Sequence, residues 1–242
     1  MTNYVLLNNV DHKDLKIINT RSAEYGDNVM FAMTFPFEFR NIQSCYPIFF
    51  QKNADTGQLY PVALFGFQEK ENLFLNDDGW DASYVPLMIQ RNPFLIGFQE
   101  VKGEQGAANK QRVVSLDMDS PRVNESEGES VFLEHGGRSE YLEKTSDILE
   151  AIDNGYNNNK DFVNTLLEYE LIESFTMEVT LNDGTKNQLL GFYTINEETL
   201  QNLDGEALGK LNSNGCLQPL FMIIASHSRI KTLIEKKNRQ AL

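Results

Sequence analysis

Residues 47–67 read PIFFQKNADTGQLYPVALFGF, and this stretch decides the fold class. Apolar runs at 47–51 and 60–67 flank the tripeptide DTG at 55–57. Aspartate hydrogen-bonds its own turn backbone and glycine accepts positive φ, so the tripeptide is typical of a turn between antiparallel strands. The stretch therefore predicts a β-hairpin with strongly apolar strands.

A second hairpin is predicted nearer the C-terminus. Residues 175–181 alternate apolar and polar side chains with a period of two, which indicates a half-buried strand. The tripeptide NDG at 182–184 then turns the chain, and 188–195 returns as the partner strand. Further strands are predicted at 29–35, 94–101 and 112–118, with a loop at 102–110.

Helical spacing and capping residues predict the remaining elements. These are helices at 37–46 and 84–91, a helical hairpin over 139–171 that turns at 154–159, short helices after Asn196 and Asp204, and a last helix over 217–237. Strands and helices are mixed without a regular βαβ rhythm. The sequence therefore predicts an α+β fold, in which antiparallel hairpins pack with helices.

The pattern divides the chain into three segments. Residues 1–28 are polar with few apolar anchors, and we expect them to be irregular. Residues 29–135 are predicted to form a hairpin-rich N-terminal lobe, and 136–242 a lobe of the helical hairpin, the C-terminal β-hairpin and the terminal helices. A chain of 242 residues buries a sizeable core, so we expect two lobes in one compact unit.

The charge balance excludes one class of partner. The chain has 35 acidic and 21 basic residues, which gives a net charge of −14. Such a charge repels phosphate backbones, so no nucleic-acid partner is expected. A hydrophobic content of 41% excludes a protein that is disordered throughout.

The sequence also predicts where in the cell the protein is located. The N-terminus lacks a basic region followed by an apolar core, so no Sec-type signal peptide is expected. The longest apolar run, 220–225, is far shorter than the roughly 20 residues that span a bilayer, so no membrane span is expected. Cys45 and Cys216 are expected to be free thiols. We predict a cytoplasmic protein, with surface export by a non-Sec route as the alternative.

Several segments together resemble the SapC family of bacterial proteins. In chain order they are YPIFF at 46–50, PVALFG at 61–66, ENLF at 71–74, Trp80 with YVP at 84–86, RNPF at 91–94, LDMDSPR at 116–122 and GFYTI at 191–195. Asn92 departs from the family pattern, which favours an aromatic residue before the proline.

The resemblance implies partners rather than a reaction. The family is named for a bacterial surface-layer association, and many members resemble cytoplasmic accessory proteins encoded beside flavin-dependent halogenases. It implies no catalytic residue set. We therefore expect a non-catalytic binding or assembly protein that acts with cell-envelope or halogenase-associated partners, with a surface-layer structural component as a further alternative.

One candidate site lies at the end of the strand predicted at 112–118. Asp117 and Asp119 are two residues apart and would lie on one face, where both carboxylates could hold a metal or a cationic group. Arg122 could instead pair with one of them and cancel the site. Apart from this divalent metal, no cofactor is predicted. The alternative function is an enzyme with a small-molecule or metal site built from Asp117, Asp119 and Arg91.

A second candidate site surrounds Arg91. This arginine continues the line of Tyr84 on an apolar, aromatic helix face, where a guanidinium is normally paired, stacked or bound to an anion. The candidate ligand-binding residues are Asn72, Trp80, Tyr84, Arg91, Arg122 and His227. An internal salt bridge is the alternative for Arg91. The expected partner is a protein, a peptide or a small anionic ligand, and a homo-oligomer is left open.

His227 lies on the apolar stripe of the helix predicted at 217–237. It is either a core histidine bound to a backbone carbonyl or a pocket-lining acid or base. The sequence contains no Walker A, Gly-x-Gly-x-x-Gly, Gly-x-Ser-x-Gly or Cys-x-x-Cys motif. The acidic loop at 76–81 fails the EF-hand register, because Phe74 would occupy the first ligand position, and it is predicted to be a turn.

Overall fold

The computed structural model describes residues 3–102 and 108–240. The strands are β1 (Tyr4–Leu6), β2 (Lys16–Ile17), β3 (Phe31–Met33), β4 (Ile48–Lys52), β5 (Leu59–Leu64), β6 (Leu75–Asn76), β7 (Gly79–Trp80), β8 (Phe94–Lys102), β9 (Ala108–Asp117), β10 (Val123–Asn124), β11 (Glu129–Ser130), β12 (Ile172–Thr180) and β13 (Lys186–Ile195). The helices are α1 (Phe39–Ile42), α2 (Leu87–Gln90), α3 (Glu140–Glu168), α4 (Glu197–Gln201), α5 (Gly205–Ser213), α6 (Leu217–Ser226) and α7 (Arg229–Gln240). The α+β prediction is confirmed.

The central sheet joins the two hairpins that the sequence predicts. Its five strands have the order β12-β13-β4-β5-β3, and each neighbouring pair is antiparallel. Strand β13 pairs with β4 through Phe192 opposite Gln51 and Tyr193 opposite Phe50. Strands from both sides of residue 135 therefore share one sheet.

Both faces of this sheet are covered at β4. Three consecutive side chains, Ile48, Phe49 and Phe50, are fully buried. Because successive residues of a strand point to opposite faces, their burial requires packing on both sides. Helix α3 packs against β5, and α6 packs against β4 and β13.

A smaller three-stranded sheet has the order β1-β9-β8. It packs over a separate apolar cluster that includes Phe94, Leu116, Leu142 and Leu149. Residues 1–28, predicted to be irregular, contribute β1 to this sheet and pair β2 with β10 and β11. These strands have three and two residues, which is too short for a periodic pattern to appear in the sequence.

The predicted helical hairpin over 139–171 is wrong, because α3 is one continuous helix of 29 residues. Its Asn- and Gly-rich segment at 154–159 has poor helix propensity but makes tertiary contacts. Gly155 lies against the ring of Phe35, and Asn159 donates a hydrogen bond to the Thr34 carbonyl at 3.2 Å. Packing therefore overrides local propensity here.

The predicted last helix is divided in two. Helix α6 ends at Ser226, and α7 begins at Arg229. The hydroxyl of Ser226 donates to the Ile223 carbonyl at 2.5 Å, and that of Ser228 donates to the Ala225 carbonyl at 2.9 Å. Such bonds compete with the helical ladder and favour a break.

Other elements that the sequence predicts differ in length from those in the structure. The helices predicted at 37–46 and 84–91 are the single turns α1 and α2. Within the predicted loop at 102–110, residues 103–107 lie outside the described residues. Cys45 and Cys216 are free thiols, as predicted. No helix in the two described ranges is both long and apolar enough to cross a bilayer.

The contact between Gly155 and Phe35 gives a stability test of α3. A Cβ at position 155 would lie 2.6 Å from the Phe35 ring, so Gly155→Ala should lower the free energy of unfolding by about 1–3 kcal/mol despite alanine's better helix propensity. In Gly209→Ala, the new Cβ meets nothing within 4 Å, and stability should rise by about 0.5–1 kcal/mol. Urea denaturation measures both, and a stabilised Gly155→Ala protein would contradict the packing argument.

Candidate functional site

The structure brings Arg91, Asp117 and Asp119 to one groove. This polar groove has a volume of about 290 Å³, and its lining includes Tyr4, Tyr25 and these three charged residues. The sequence assigned Arg91 and the two aspartates to separate candidate sites. In the folded protein they face the same space.

Arg91 lies between α2 and β8 and is half-buried. Its Nη1 donates to the Phe94 carbonyl at 2.8 Å, and the Phe94 N–H donates to the Arg91 carbonyl at 2.7 Å. Burial lowers the pKa of Arg91, but a guanidinium stays protonated in proteins. Among the side chains described, 3–99 and 111–240, no carboxylate pairs with Arg91, so the predicted internal salt bridge is not formed there.

The two aspartates are held by backbone N–H groups. The Asp119 N–H donates to Asp117 Oδ1 at 3.2 Å, and the Asn3 N–H donates to Asp119 Oδ2 at 3.0 Å. In the part of the chain that the structure describes, no three His, Cys, Asp or Glu side chains are grouped to hold a metal ion. A metal in the polar groove would therefore have Asp117 and Asp119 as its protein carboxylates.

Arg122 does not pair with either aspartate, contrary to the alternative drawn from the sequence. Its Nη2 lies 2.5 Å from Oδ2 of Asp27, and both side chains are buried, with 1% and 0% exposure. Its Nη1 donates to the carbonyls of Ile18 at 2.8 Å and Thr20 at 2.9 Å. The guanidinium carbon also lies 5.4 Å from the centre of the Tyr25 ring. Arg122 therefore lies behind the polar groove and supports Tyr25 in its wall.

Asp27 is the centre of a wider network that sequence reasoning missed. Its Oδ2 accepts from the Ser22 N–H at 3.0 Å, and its Oδ1 lies 3.5 Å from Nη1 of Arg21. Its carbonyl accepts from Nδ2 of Asn72 at 2.8 Å. Asn72, a candidate ligand residue, is thus bonded within the protein. Asp27 and Arg122 are far apart in sequence, and no local pattern connects them.

Trp80 and Tyr84 are also bonded internally and are not among the residues that line the polar groove. Trp80 Nε1 donates to the Tyr46 hydroxyl at 2.6 Å, and the Tyr84 hydroxyl donates to Oε1 of Glu38 at 2.8 Å. Glu38 is 2% exposed and also accepts from the Leu87 N–H at 2.9 Å. Burial raises the pKa of Glu38. This carboxylate, which the sequence did not single out, fixes the start of α2.

His227 is the C-cap residue of α6 and is half-buried. Its ring stacks on Phe49 with centroids 5.1 Å apart, and its Nε2 lies 3.2 Å from the Thr194 hydroxyl. Burial lowers the pKa of His227 below its ordinary value. A backbone hydrogen bond at Ile48 also acts on the ring and opposes the effect of burial on its pKa.

A second groove adjoins the first at Arg91 and Leu95. This apolar groove has a volume of about 240 Å³ and lies between β8 and α3, with Phe98, Ile152 and Tyr156 in its lining. Phe98 is 62% exposed, which is unusual for a large apolar side chain. This groove was not predictable from the sequence, because α3 and β8 are distant in the chain.

The buried ion pair gives a second stability test. Arg122→Met removes the closer of the two arginines beside the buried Asp27 carboxylate and leaves the carbonyls of Ile18 and Thr20 without this donor. The free energy of unfolding should therefore fall by about 3–5 kcal/mol in urea denaturation. Lys144→Met is the control, because Lys144 pairs with Glu140 on the exposed face of α3 at 2.8 Å and should leave stability nearly unchanged. Equal stability of the two variants would show that the buried pair is dispensable.

The environment of His227 predicts a pH dependence. The unfolded chain binds a proton near the ordinary histidine pKa, about 6.5, whereas the folded protein resists protonation. Stability should therefore fall below about pH 6.5, by up to about 1.4 kcal/mol per pH unit. In His227→Gln the side chain no longer titrates in this range. This variant should therefore lose less stability than the wild type between about pH 7 and pH 5. Parallel urea-denaturation profiles would contradict the assignment.

Comparison with known proteins gives one match. The SapC family model matches residues 7–233, which is nearly the whole chain and includes both grooves apart from Tyr4. No curated protein and no solved structure matches significantly. The chain belongs to the SapC family.

Proposed function

We propose that the protein is a non-catalytic binding or assembly protein, and that Arg91 receives an anionic group of a protein, a peptide or a small ligand. The main support for this proposal is the burial and hydrogen bonding of the Arg91 guanidinium. It is half-buried at the junction of two grooves and is bonded to one carbonyl, that of Phe94. A guanidinium has five N–H donors, so most remain available in the described structure.

The charges around Arg91 limit the kinds of ligand that the polar groove can bind. Asp117 and Asp119 face the same groove, so its lining carries one positive and two negative side chains. A polyanion would be repelled by this pair and by the net charge of −14. A ligand with a single carboxylate beside uncharged or cationic groups complements the groove.

The physiological partners proposed here are proteins of the cell envelope or of halogenase systems. Their support is the family membership together with the sequence resemblance. A binding or assembly role fits the open shape of both grooves, which can admit an extended segment as well as a small molecule.

An enzymatic function is the second candidate. It is favoured by the convergence of Arg91, Asp117 and Asp119, because two carboxylates and a guanidinium can hold a metal or orient a polar substrate. Elemental analysis of the purified protein separates the candidates. Stoichiometric iron, manganese or zinc that is lost in an Asp117→Asn/Asp119→Asn double variant would favour the enzyme.

The binding role of Arg91 can be tested with acetate as the simplest carboxylate probe. In an NMR titration, acetate should shift the Arg91 Nε–Hε resonance saturably, and chloride at the same ionic strength should not. Arg91→Ala should abolish acetate binding but lower stability by only about 0.5–1.5 kcal/mol, because one hydrogen bond is lost.

The matched control is Arg40→Ala, which removes an exposed arginine from α1 and should leave the Arg91 shift intact. Two results would contradict the proposal. One is an Arg91 resonance that acetate does not move. The other is a stability loss of about 3–5 kcal/mol in Arg91→Ala, which would make Arg91 a structural residue.

A further inference from the structure

Strand β8 borders the apolar groove, and one of its edges pairs with no other strand of the described residues. It is the edge strand of the β1-β9-β8 sheet. The Leu7 N–H donates to the Val114 carbonyl at 3.0 Å, so Val114 faces β1, and its partner across β8 is Ile96. Because antiparallel pairs alternate, the N–H and C=O groups of Ile96 and Phe98 point away from β9.

Hydrogen bonds elsewhere in the described residues do not use these groups. The outward N–H and C=O of Phe94 are bonded to Arg91. Those of Ile96 and Phe98 have no partner among the described backbone groups, 3–102 and 108–240, or the described side chains, 3–99 and 111–240. An unpaired edge of this kind is a template for another extended segment.

The surroundings of this edge fit a polypeptide. Ile96 and Phe98 line the apolar groove from β8, while Leu149, Ile152 and Tyr156 line it from α3. The remaining charged side chain of the α3 wall, Asp153, is paired with Nη2 of Arg112 at 2.7 Å. A segment placed here would hydrogen-bond to the edge and project alternate side chains onto the apolar wall of α3.

Arg91 fixes the direction of such a segment. It lies three residues before the start of β8, at the N-terminal end of the exposed edge. A segment that runs antiparallel to β8 ends at this arginine. Its terminal carboxylate would then meet the guanidinium, which is the anionic group required by the proposed function.

We propose that the groove between β8 and α3 captures the C-terminal segment of a partner polypeptide as an added antiparallel strand. The last residue of the segment is apolar, and its free carboxylate is bound by Arg91. This inference rests on the proposed function and adds to it the class of partner and the mode of binding.

Other ligands would bind fewer of the three features, which are the β8 edge, the apolar wall and Arg91. An alkyl carboxylate could reach Arg91 and the apolar wall, but it would leave the backbone groups of Ile96 and Phe98 unbonded. A second copy that paired β8 with β8 would bond these groups, but it would bring two chains that each carry a net charge of −14 into contact. The peptide C-terminus satisfies the edge, the apolar wall and the arginine together.

The test uses a pool of peptides of about eight residues with randomised last positions, in free-acid and C-terminal amide forms. The full chain is immobilised, and retained peptides are identified by mass spectrometry. Free acids with an apolar last residue should be enriched, and the selected peptide should lose about tenfold or more in affinity when it is amidated.

Two variants probe the edge itself. Phe98→Pro removes the outward N–H without removing a bond to β9, a position where an edge strand tolerates proline. Phe98→Thr is the matched control, because it also removes the exposed ring but keeps the N–H. The peptide selected on the wild type should lose about tenfold more affinity for Phe98→Pro than for Phe98→Thr. Circular dichroism checks whether both variants are folded.

Any of the following results would overturn the inference. Equal retention of acids and amides excludes capture of a C-terminus, and tighter binding of octanoate than of any peptide identifies an amphipathic small molecule. A dimer in analytical ultracentrifugation that Phe98→Pro dissociates identifies a second copy on the edge. If acetate binds Arg91 while no peptide is enriched, this inference fails and the proposed function stands. If acetate does not bind either, both fail.

Discussion

The groove at Arg91 depends on the buried ion pair between Arg122 and Asp27. Two charges removed from water are tolerated only when they are paired and hydrogen-bonded, and here the pair also binds the carbonyls of Ile18 and Thr20. The pair ties the chain after β9 to the N-terminal segment and places Tyr25 under the guanidinium. The pairing of β1 with β9 and of β2 with β10 holds the ends of that segment, and the ion pair adds the buried contact behind the polar groove.

The elements that the sequence predicts best are those with local signals. The hairpins β4–β5 and β12–β13 follow from alternating side chains and turn residues, which act over a few positions. Helix α3 was predicted to break because its Asn- and Gly-rich centre is locally unfavourable. Gly155 is required there because Phe35 leaves no room for a side chain, and this contact joins residues distant in sequence. Local propensity fails where tertiary packing sets the residue type.

The difference between local signals and tertiary contacts also explains which parts of the candidate site could be predicted from the sequence. Arg91, Asp117 and Asp119 were identifiable because each lies at the end of an element, where polar side chains are noticeable. Their convergence was not predictable, since it depends on how β8 and β9 pair. Asn72 and Trp80 were grouped with Arg91 through closeness in sequence, but both are bonded in the interior of the protein. Nearness along the chain is a poor guide where short strands and single-turn helices change direction often.

Two arginines with similar sequence signals have different roles in this protein: Arg122 stabilises the fold, and Arg91 is available to bind a ligand. Solvent exchange of the guanidinium hydrogens, measured by NMR on the free protein, tests this directly. Arg122 is 1% exposed and paired with Asp27, so its Nη hydrogens should be strongly protected. Those of Arg91 should exchange rapidly and slow when acetate is added. Equal protection of both guanidinium groups in the free protein would show that Arg91 is also structural, and would contradict the account.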